Sequence, residues 1–491
     1  MTLTTKKQHS NNKAIPIELL LEILNSINSY PLSKNKKEKD KIKKQQEGIV
    51  IWRTKWFKNL LLASKVIDIF CKELFKKRLI YVTWNNAFIG YYSKLIKKLI
   101  MSGQSSSLKR KLCGCEYETI KKRFSLTIGK EITCRAAVVW ESGADIVVDL
   151  IQVAPPKAGE VRVKVLYAGL CSKDYFGKTD NNLHFPVILG HEGTGIVESL
   201  GPDVEGISVG DYVMFCPVYF PSYVRQDGEE FFNGQLMNDG TSRFSFDGKE
   251  IFHFYRLSTF SEYVVVNVAA VLQIFNASLD IVSILGCDVT SGYKAPELCG
   301  VTNAHTVAVF GLGAIGLSTV TACRARGATR IVGVDICAER LLRAEKFGIT
   351  QAIDISQHAD VVAHVHSHYG NGFDLCFEST GVQNSIVKAI QCTNSTTGTV
   401  CLIGNKNTNI PLTIKDIGSG MILRGNVIGG SSHSRQSLIE CLQGYESSLF
   451  PCDKFYVENI NIDDINRWIN RTITIGPFRM DRILVNMNQD E

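Results

Sequence analysis

Apolar positions recur at two different spacings along the chain, and the change of spacing divides it. Residues 15–27 (IPIELLLEILNSI) and 56–80 (WFKNLLLASKVIDIFCKELFKKRLI) carry apolar side chains three and four apart, as helices with one buried face do. Between them, KNKKEKDKIKKQQ (34–46) is a solvated charge run, and SGQSSSLKRK (102–111) reads as a linker. Beyond residue 131 the pattern changes. FPVILGHEGTGIVESLGPDVEGISVGDYV (185–213) is β-rich and punctuated by glycine, whereas TVAVF (306–310) and RIVGVD (330–335) are short strand-like runs flanking a helical LSTVTACRARG (317–327). EKFGITQAIDI (345–355) and GFDLCFESTG (372–381) add further βα units, so this half is predicted to be a doubly wound parallel sheet. A helix followed by a strand is expected in FYVENINIDDINRWINRTITIGPFRMDRILV (455–485).

Charge sharpens this division. Residues 1–130 hold 28 Lys and Arg against 9 Asp and Glu, a balance of +19; the remainder holds 27 against 39, a balance of −12. The predicted organisation is a basic, mainly helical extension over 1–100 and a linker over 101–130, followed by two domains. A charge run without interleaved aromatics does not argue for nucleic acid. At 45% hydrophobic and 21% charged, the composition is that of a soluble chain. The longest apolar candidate, residues 79–93, is too short to span a bilayer and has two Asn in its middle. The N-terminus has cations but no apolar stretch after them, so no secretory signal is read. Fifteen scattered cysteines then read as reduced thiols, which points to the cytoplasm.

HTVAVFGLGAIG places Gly311, Gly313 and Gly316 in G-x-G-x-x-G spacing between a strand and a helix. Gly311 permits the tight turn, Gly313 lets the backbone approach a pyrophosphate, and Gly316 lets helix and strand pack closely. Free N–H groups at the helix start favour the phosphates. Asp335, nineteen residues after Gly316, ends the next strand. A carboxylate there accepts the ribose hydroxyls and repels a 2′-phosphate, which argues for NAD over NADP.

Cys171 in GLCSKDY, His191 in LGHEG and Cys287 in LGCDV are residue types suited to a tetrahedral zinc with one open position. Spread from residue 171 to residue 287, they suit buried thiols and a satisfied histidine equally well, and spacing leaves both readings open.

Taken together, CRAAVVWESG, VAPPKAGEVRVKV, GLCSKD, VILGHEGTGIVESLG, DGTSRF, STFSEY, GCDVTSGY and VFGLGAIGLS resemble the medium-chain zinc-dependent alcohol dehydrogenases from about residue 131 to the end. The nearest wording is that of the class III, or S-(hydroxymethyl)glutathione, dehydrogenases and their plant relatives. The resemblance implies a β-rich GroES-like catalytic domain over 131–288 and 432–491 and an NAD-binding Rossmann domain over 289–431. It further implies Cys171, His191 and Cys287 as ligands of a catalytic zinc, Glu192 as an acid able to approach the metal, and Asp174 as the carboxylate that orients the ligand histidine. Arg340 matches a basic position near the adenosine ribose, and Arg482 matches an Arg that contacts the coenzyme phosphates. In such a site zinc polarises the alcohol oxygen and eases loss of its proton while hydride passes to the nicotinamide. Ser291, Ile315 and Phe215 match an apolar channel for a primary alcohol, and a homodimer is expected.

Two departures stand out. Where the family has a hydroxyl that passes the alcohol proton toward solvent, this chain has Lys173, preceded by Ser172 where the family usually has His. A Lys cation beside zinc is repelled unless it is neutral or turned away. The family's four-cysteine lobe corresponds to residues 213–240, which hold only Cys216, so a structural zinc is not expected. Two alternatives accompany the leading reading. One is a catalytically impaired relative that keeps NAD. The other is an adaptor acting through its N-terminal extension, where residues 15–80 faintly resemble an F-box and would recruit a protein partner. Met101 also stands where a nearly complete dehydrogenase would start.

Overall fold

The computed structural model describes residues 124–487, apart from 218–222, 225–229, 232–233, 276, 405–408, 419, 426–433, 448–449, 456 and 471–481. The expected N-terminal helices, the F-box-like pattern and most of the linker lie outside these residues.

An antiparallel sheet is built from β1 (Ile132–Val139), β2 (Val147–Val153), β4 (Val187–Ile188), β9 (Phe244–Phe246) and β10 (Lys249–Ile251), in the order β10-β9-β2-β1-β4. A second sheet has the order β12-β6-β5-β3-β20-β19, with β11 (Tyr263–Asn267) also on β3. Its strands are β3 (Glu160–Leu170), β5 (Gly193–Leu200), β6 (Tyr212–Phe215), β12 (Val271–Gln273), β19 (Val457–Asn461) and β20 (Arg482–Asn486). A small ribbon, β7 (Tyr223–Val224) with β8 (Glu230–Phe231), stands apart. One core joins the two large sheets through Val138, Ile151, Val163, Val197, Val265 and Phe260.

The third sheet is parallel and six-stranded: β13 (Thr306–Phe310), β14 (Arg330–Asp335), β15 (Gln351–Asp354), β16 (Leu375–Glu378), β17 (Thr399–Leu402) and β18 (Ile422–Gly425). Their order, β15-β14-β13-β16-β17-β18, runs outward in both directions from the β13–β16 pair. That pair is the switch point at which such folds hold ligands. All five residues of β13 are buried, the signature of a parallel strand covered on both faces.

Two connections place the chemistry. The chain returns after the parallel sheet so that β20 lies antiparallel to β3, with Ile483 opposite Leu170. Arg482 is thereby brought beside Cys171, 311 positions earlier in the chain (482 − 171). At the other end, residues 124–130, the last of the expected linker, are tied down. Fully buried Arg162 pairs with Glu198 at 2.6 Å and donates to the carbonyls of Lys130 at 2.6 Å and Thr127 at 2.7 Å. A buried guanidinium requires this degree of satisfaction, since an unpaired one costs several kcal/mol, on the order of 3–5.

Candidate metal centre and coenzyme crevice

Cys171 follows the last residue of β3 and caps α1 (Ser172–Lys178). Asp174, three residues on, completes a capping box by accepting from Cys171 N at 2.9 Å through Oδ2. Its other oxygen, Oδ1, accepts from Gly190 N at 3.1 Å and lies 3.0 Å from His191 Nδ1. A carboxylate is only an acceptor, so His191 Nδ1 carries a proton and Nε2 is the nitrogen turned toward the cluster. That Nε2 stands 3.3 Å from Cys171 Sγ. One short helix start thus fixes both a thiol and the tautomer of an imidazole twenty residues away (191 − 171). The turn bearing His191 requires glycine at 190, where φ is +88° and a Cβ would lie 2.7 Å from Phe260 N.

Cys287 arrives from a wide helical turn, Leu285–Val289, that leads into the helix Thr290–Leu298. Turns of this π type recur at functional sites. Ligand atoms of Cys171, His191 and Cys287 all lie within 4.8 Å of one another, and the three residues are buried. Tetrahedral zinc, with bonds of ~2.3 Å to sulfur and ~2.0 Å to nitrogen, holds such atoms ~3.5–3.8 Å apart. The donor set and its spacing therefore fit a zinc ion. Among the described residues no other three such side chains bring their ligand atoms this close together.

Charge around the cluster is layered. The neighbouring Cys171 thiol, as hydrogen-bond donor, and then Lys173 and His191 hold Cys287 well below the usual thiol range, while burial and the same pairing push Cys171 well above it. Burial pulls His191 down, but Asp174 and Cys287 outweigh it and the imidazolium is favoured. Burial lifts Glu192 to about 8 despite the opposing Arg482. Glu192 has room because two neighbours lack side chains: a Cβ on Gly169 would lie 2.7 Å from its Cδ, and one on Gly286 2.8 Å from its Cβ. One carboxylate oxygen of Glu192 bonds Arg482; the other, Oε2, is buried with no partner among the described residues.

Three side chains near the cluster take positions that the sequence does not settle. Lys173 does not turn away: its Nζ stands 3.5 Å from Cys287 Sγ. Burial pulls its pKa down, but Cys287, Tyr255, Cys171 and Asp288 together raise it, so the amine is a cation. Ser172 opens α1 and its hydroxyl makes no hydrogen bond among the described residues. Arg482, 3% exposed, is held by Glu192 and, at 2.5 Å, by Asp288. Asp288 and Tyr255 escaped the sequence reading. An acid directly after Cys287 was the visible signal for the first. Tyr255, whose ring centroid lies 5.5 Å from that of His191, sits at φ +55° beside Arg256 at φ +54°, and no local sequence signal announces that strained pair.

Some 140 residues on (313 − 171 = 142), the glycine turn lies at the switch point. Gly311 has φ +85°, and a Cβ there would lie 2.4 Å from Thr380 Cγ2 on the loop after β16. At Gly316, inside the helix Ala314–Ala325, a Cβ would stand 1.8 Å from the carbonyl oxygen of Gly311. At Gly313, which caps that helix, a Cβ would meet nothing within 4 Å. The first and third glycines are demanded by the fold, whereas the second faces open space, as a dinucleotide phosphate cradle requires. Asp335 ends β14, its Oδ2 accepting from Leu312 N at 2.7 Å and its Oδ1 from Cys337 N at 3.0 Å. Arg340 NH1 lies 4.0 Å from Asp335. Of the expected channel residues, Phe215 and Ser291 are buried and Ile315 is half-buried; Ser291 donates to Cys287 O at 3.0 Å.

A glycine turn at the switch point of a doubly wound sheet, together with a β-rich half that gathers two thiols and an imidazole, is the architecture of a dehydrogenase. Residues 157–276 match the alcohol dehydrogenase GroES-like domain and residues 314–444 the zinc-binding dehydrogenase domain. The chain is 36% identical over 367 residues to alcohol dehydrogenase class-3 of Caenorhabditis elegans, a match covering 70% of this chain and 94% of that protein. It is 35% identical over 364 residues to an alcohol dehydrogenase of Malus domestica, covering 70% and 95%. Among solved structures, benzyl alcohol dehydrogenase of Acinetobacter calcoaceticus aligns with a TM-score of 0.63 at 26% identity, covering 72% of this chain and 99% of that one. The chain belongs to the medium-chain zinc-dependent alcohol dehydrogenase family, and it is an oxidoreductase. No helix among the described residues is long and apolar enough to cross a membrane.

Proposed function

We propose that the protein oxidises a primary alcohol, or S-hydroxymethylglutathione, with NAD as hydride acceptor and one catalytic zinc held by Cys171, His191 and Cys287. The observation that carries this reading is the convergence of those three side chains within 4.8 Å, with Asp174 fixing the histidine tautomer. Zinc bound there supplies a Lewis acid for the alcohol oxygen, and NAD supplies the hydride acceptor. The protein's own groups do the rest. Cys171 and Cys287 would offer thiolates, Asp174 turns His191 Nε2 toward the site, and Glu192, one of whose oxygens has no partner among the described residues, would be the acid next to a bound metal. Gly311, Gly313, Gly316 and the helix start receive the pyrophosphate, and Asp335 with Arg340 receives the adenosine ribose. Arg482 exchanges its carboxylate partners for the coenzyme phosphates. The proposed division keeps 131–288 and 432–491 for catalysis and 289–431 for the coenzyme; the working unit is a cytoplasmic homodimer.

One observation favours a second reading, the impaired relative: a lysine cation occupies the approach to Cys287, where the family's relay hydroxyl belongs. Steady-state assays of zinc-loaded protein decide between them, using ethanol, longer and cinnamyl-type alcohols and the formaldehyde adduct of glutathione, each with NAD and with NADP. Turnover with NAD preferred, and that preference narrowed by Asp335→Ser, is the expected result. NAD binding without turnover on any of these substrates favours the impaired enzyme. Equal affinity for the two coenzymes removes the role given to Asp335.

A further inference from the structure

Four of the ten histidines, His358, His364, His366 and His368, fall within eleven residues (368 − 358 + 1). They lie on and just before the helix Val361–Tyr369, which connects β15 to β16 and buries Val361 and Val365 in the core of the parallel sheet. His364 and His368 are therefore one turn apart on one face of the helix. The four do different things. His366 is engaged at both ring nitrogens, which lie 2.9 Å from the carbonyl oxygens of Gly370 and of Gln391. The other three rings form a file: centroids of His358 and His364 are 4.0 Å apart, those of His364 and His368 4.3 Å, with tilts of 32° and 35°.

His368 Nδ1 lies 2.8 Å from the carbonyl oxygen of His364, which can only accept, and 2.9 Å from Ser367 Oγ. The proton is thus on Nδ1, and the Nε2 lone pair is left free, the arrangement a metal-binding histidine has when its other nitrogen donates to a backbone carbonyl. The rings of His358 and His364 make no hydrogen bond among the described residues.

We propose that His358, His364 and His368 form a second metal site, remote in sequence from the Cys171 cluster, that takes one borderline divalent ion such as Ni²⁺, Cu²⁺ or Zn²⁺. Imidazole nitrogens select these ions over Mg²⁺ and Ca²⁺, which take oxygen. Two histidines four apart on one helical face reach a single ion. As they stand the rings are stacked and their nitrogens do not yet converge on one point; rotamer changes of exposed His368 and half-buried His358 and His364 bring them together. The bound ion then clasps the first turns of the helix to the segment before it, and the native state gains stability in proportion to its occupancy.

The test uses the full-length protein with its catalytic zinc in place. Equilibrium titration with Ni²⁺ is expected to show one more ion per chain than in the His364→Asn/His368→Asn double variant. His358→Asn should weaken that ion at least ~10-fold, the scale on which a lost ligand contact acts, while His366→Asn leaves its affinity within ~2-fold. With Cu²⁺, electron paramagnetic resonance should show nitrogen ligation that disappears in the double variant and persists in Cys171→Ser, which separates this site from the catalytic one. Circular dichroism superimposable on wild type confirms that the asparagine variants are folded; these rings are exposed or half-buried, so they should be. Equal stoichiometry in wild type and double variant, a signal from oxygen ligands only, or binding that appears only above roughly 1 mM overturns the proposal.

Discussion

The metal cluster and the glycine turn solve opposite problems. The turn works with backbone: its glycines, helix start and terminal Asp335 all come from 25 consecutive residues (335 − 311 + 1). The cluster works with side chains, drawn from residue 171 to residue 482, and it gathers charges that each prefer water. Buried Cys287 and Arg482 stand against half-buried Lys173 and Asp288, and Glu192, which burial pushes up to about 8, still bonds Arg482. Binding by backbone can therefore be local and insensitive to charge. Chemistry by side chains has to be assembled from afar and balanced.

The comparison breaks most visibly at the cluster. Cys171→Ser or Cys287→Ser replaces a thiolate with a poor ligand, so bound zinc should fall from one per chain to near zero and kcat/KM by at least ~10³-fold. Elemental analysis beside a steady-state assay checks both. Full metal retention in either variant shows that the three side chains are not the ligands.

Within the turn, two substitutions of the same size should behave differently. Gly316→Ala forces a Cβ to 1.8 Å from the Gly311 carbonyl and should destabilise the protein by about 3 kcal/mol. Gly313→Ala should leave stability within ~0.5 kcal/mol, because nothing stands within 4 Å, while weakening NADH binding. Urea unfolding and coenzyme fluorescence separate these effects. Similar losses of stability in both would show that the open space at Gly313 is not a ligand's.

A pH effect sharpens the β-rich side. Burial, reinforced by Arg243 and Arg256, lowers buried His253 to about 3; its Nε2 accepts from Arg243 N at 3.1 Å, and its Nδ1 has no partner among the described residues. Below its ordinary value near 6.5 the unfolded chain takes up a proton that the folded one refuses. Stability should therefore fall as pH drops from about 6.5 toward 3, with a limiting slope of ~1.4 kcal/mol per unit from this group. His253→Gln should flatten the dependence of Tm on pH over that window. An unchanged slope removes His253 as its source.

Lys173→Thr tests the departure closest to the chemistry. Removing the cation 3.5 Å from Cys287 and restoring a hydroxyl should raise kcat/KM for a simple primary alcohol at least ~10-fold, with NADH affinity unchanged. A variant no faster than an already efficient wild type would show that Lys173 itself relays the proton.

The difference between the regions also governs what could be read in advance. Gly311, Gly313, Gly316 and Asp335 were legible from spacing because strand, turn, helix and strand are consecutive and each obeys its own period. Cys171, His191 and Cys287 were equally consistent with buried thiols on spacing, and resemblance to a family tipped the balance. Lys173 was legible as an oddity, but its direction was not. An exposed lysine turns outward by default, and only the fold, by bringing the turn at Cys287 beside α1, places Nζ 3.5 Å from Cys287 Sγ.

By itself the sequence determined the alternating strands and helices, the glycine turn with its acid, and the inventory of possible ligands, because those depend on neighbours a few residues apart. The return of β20 beside β3, which brings Arg482 to Glu192 and Asp288, and the closing of the turn at Cys287 on His191 depend on the assembled fold. Buried charges find their partners through the whole fold, since a Coulomb interaction depends on distance in space and is indifferent to separation along the chain.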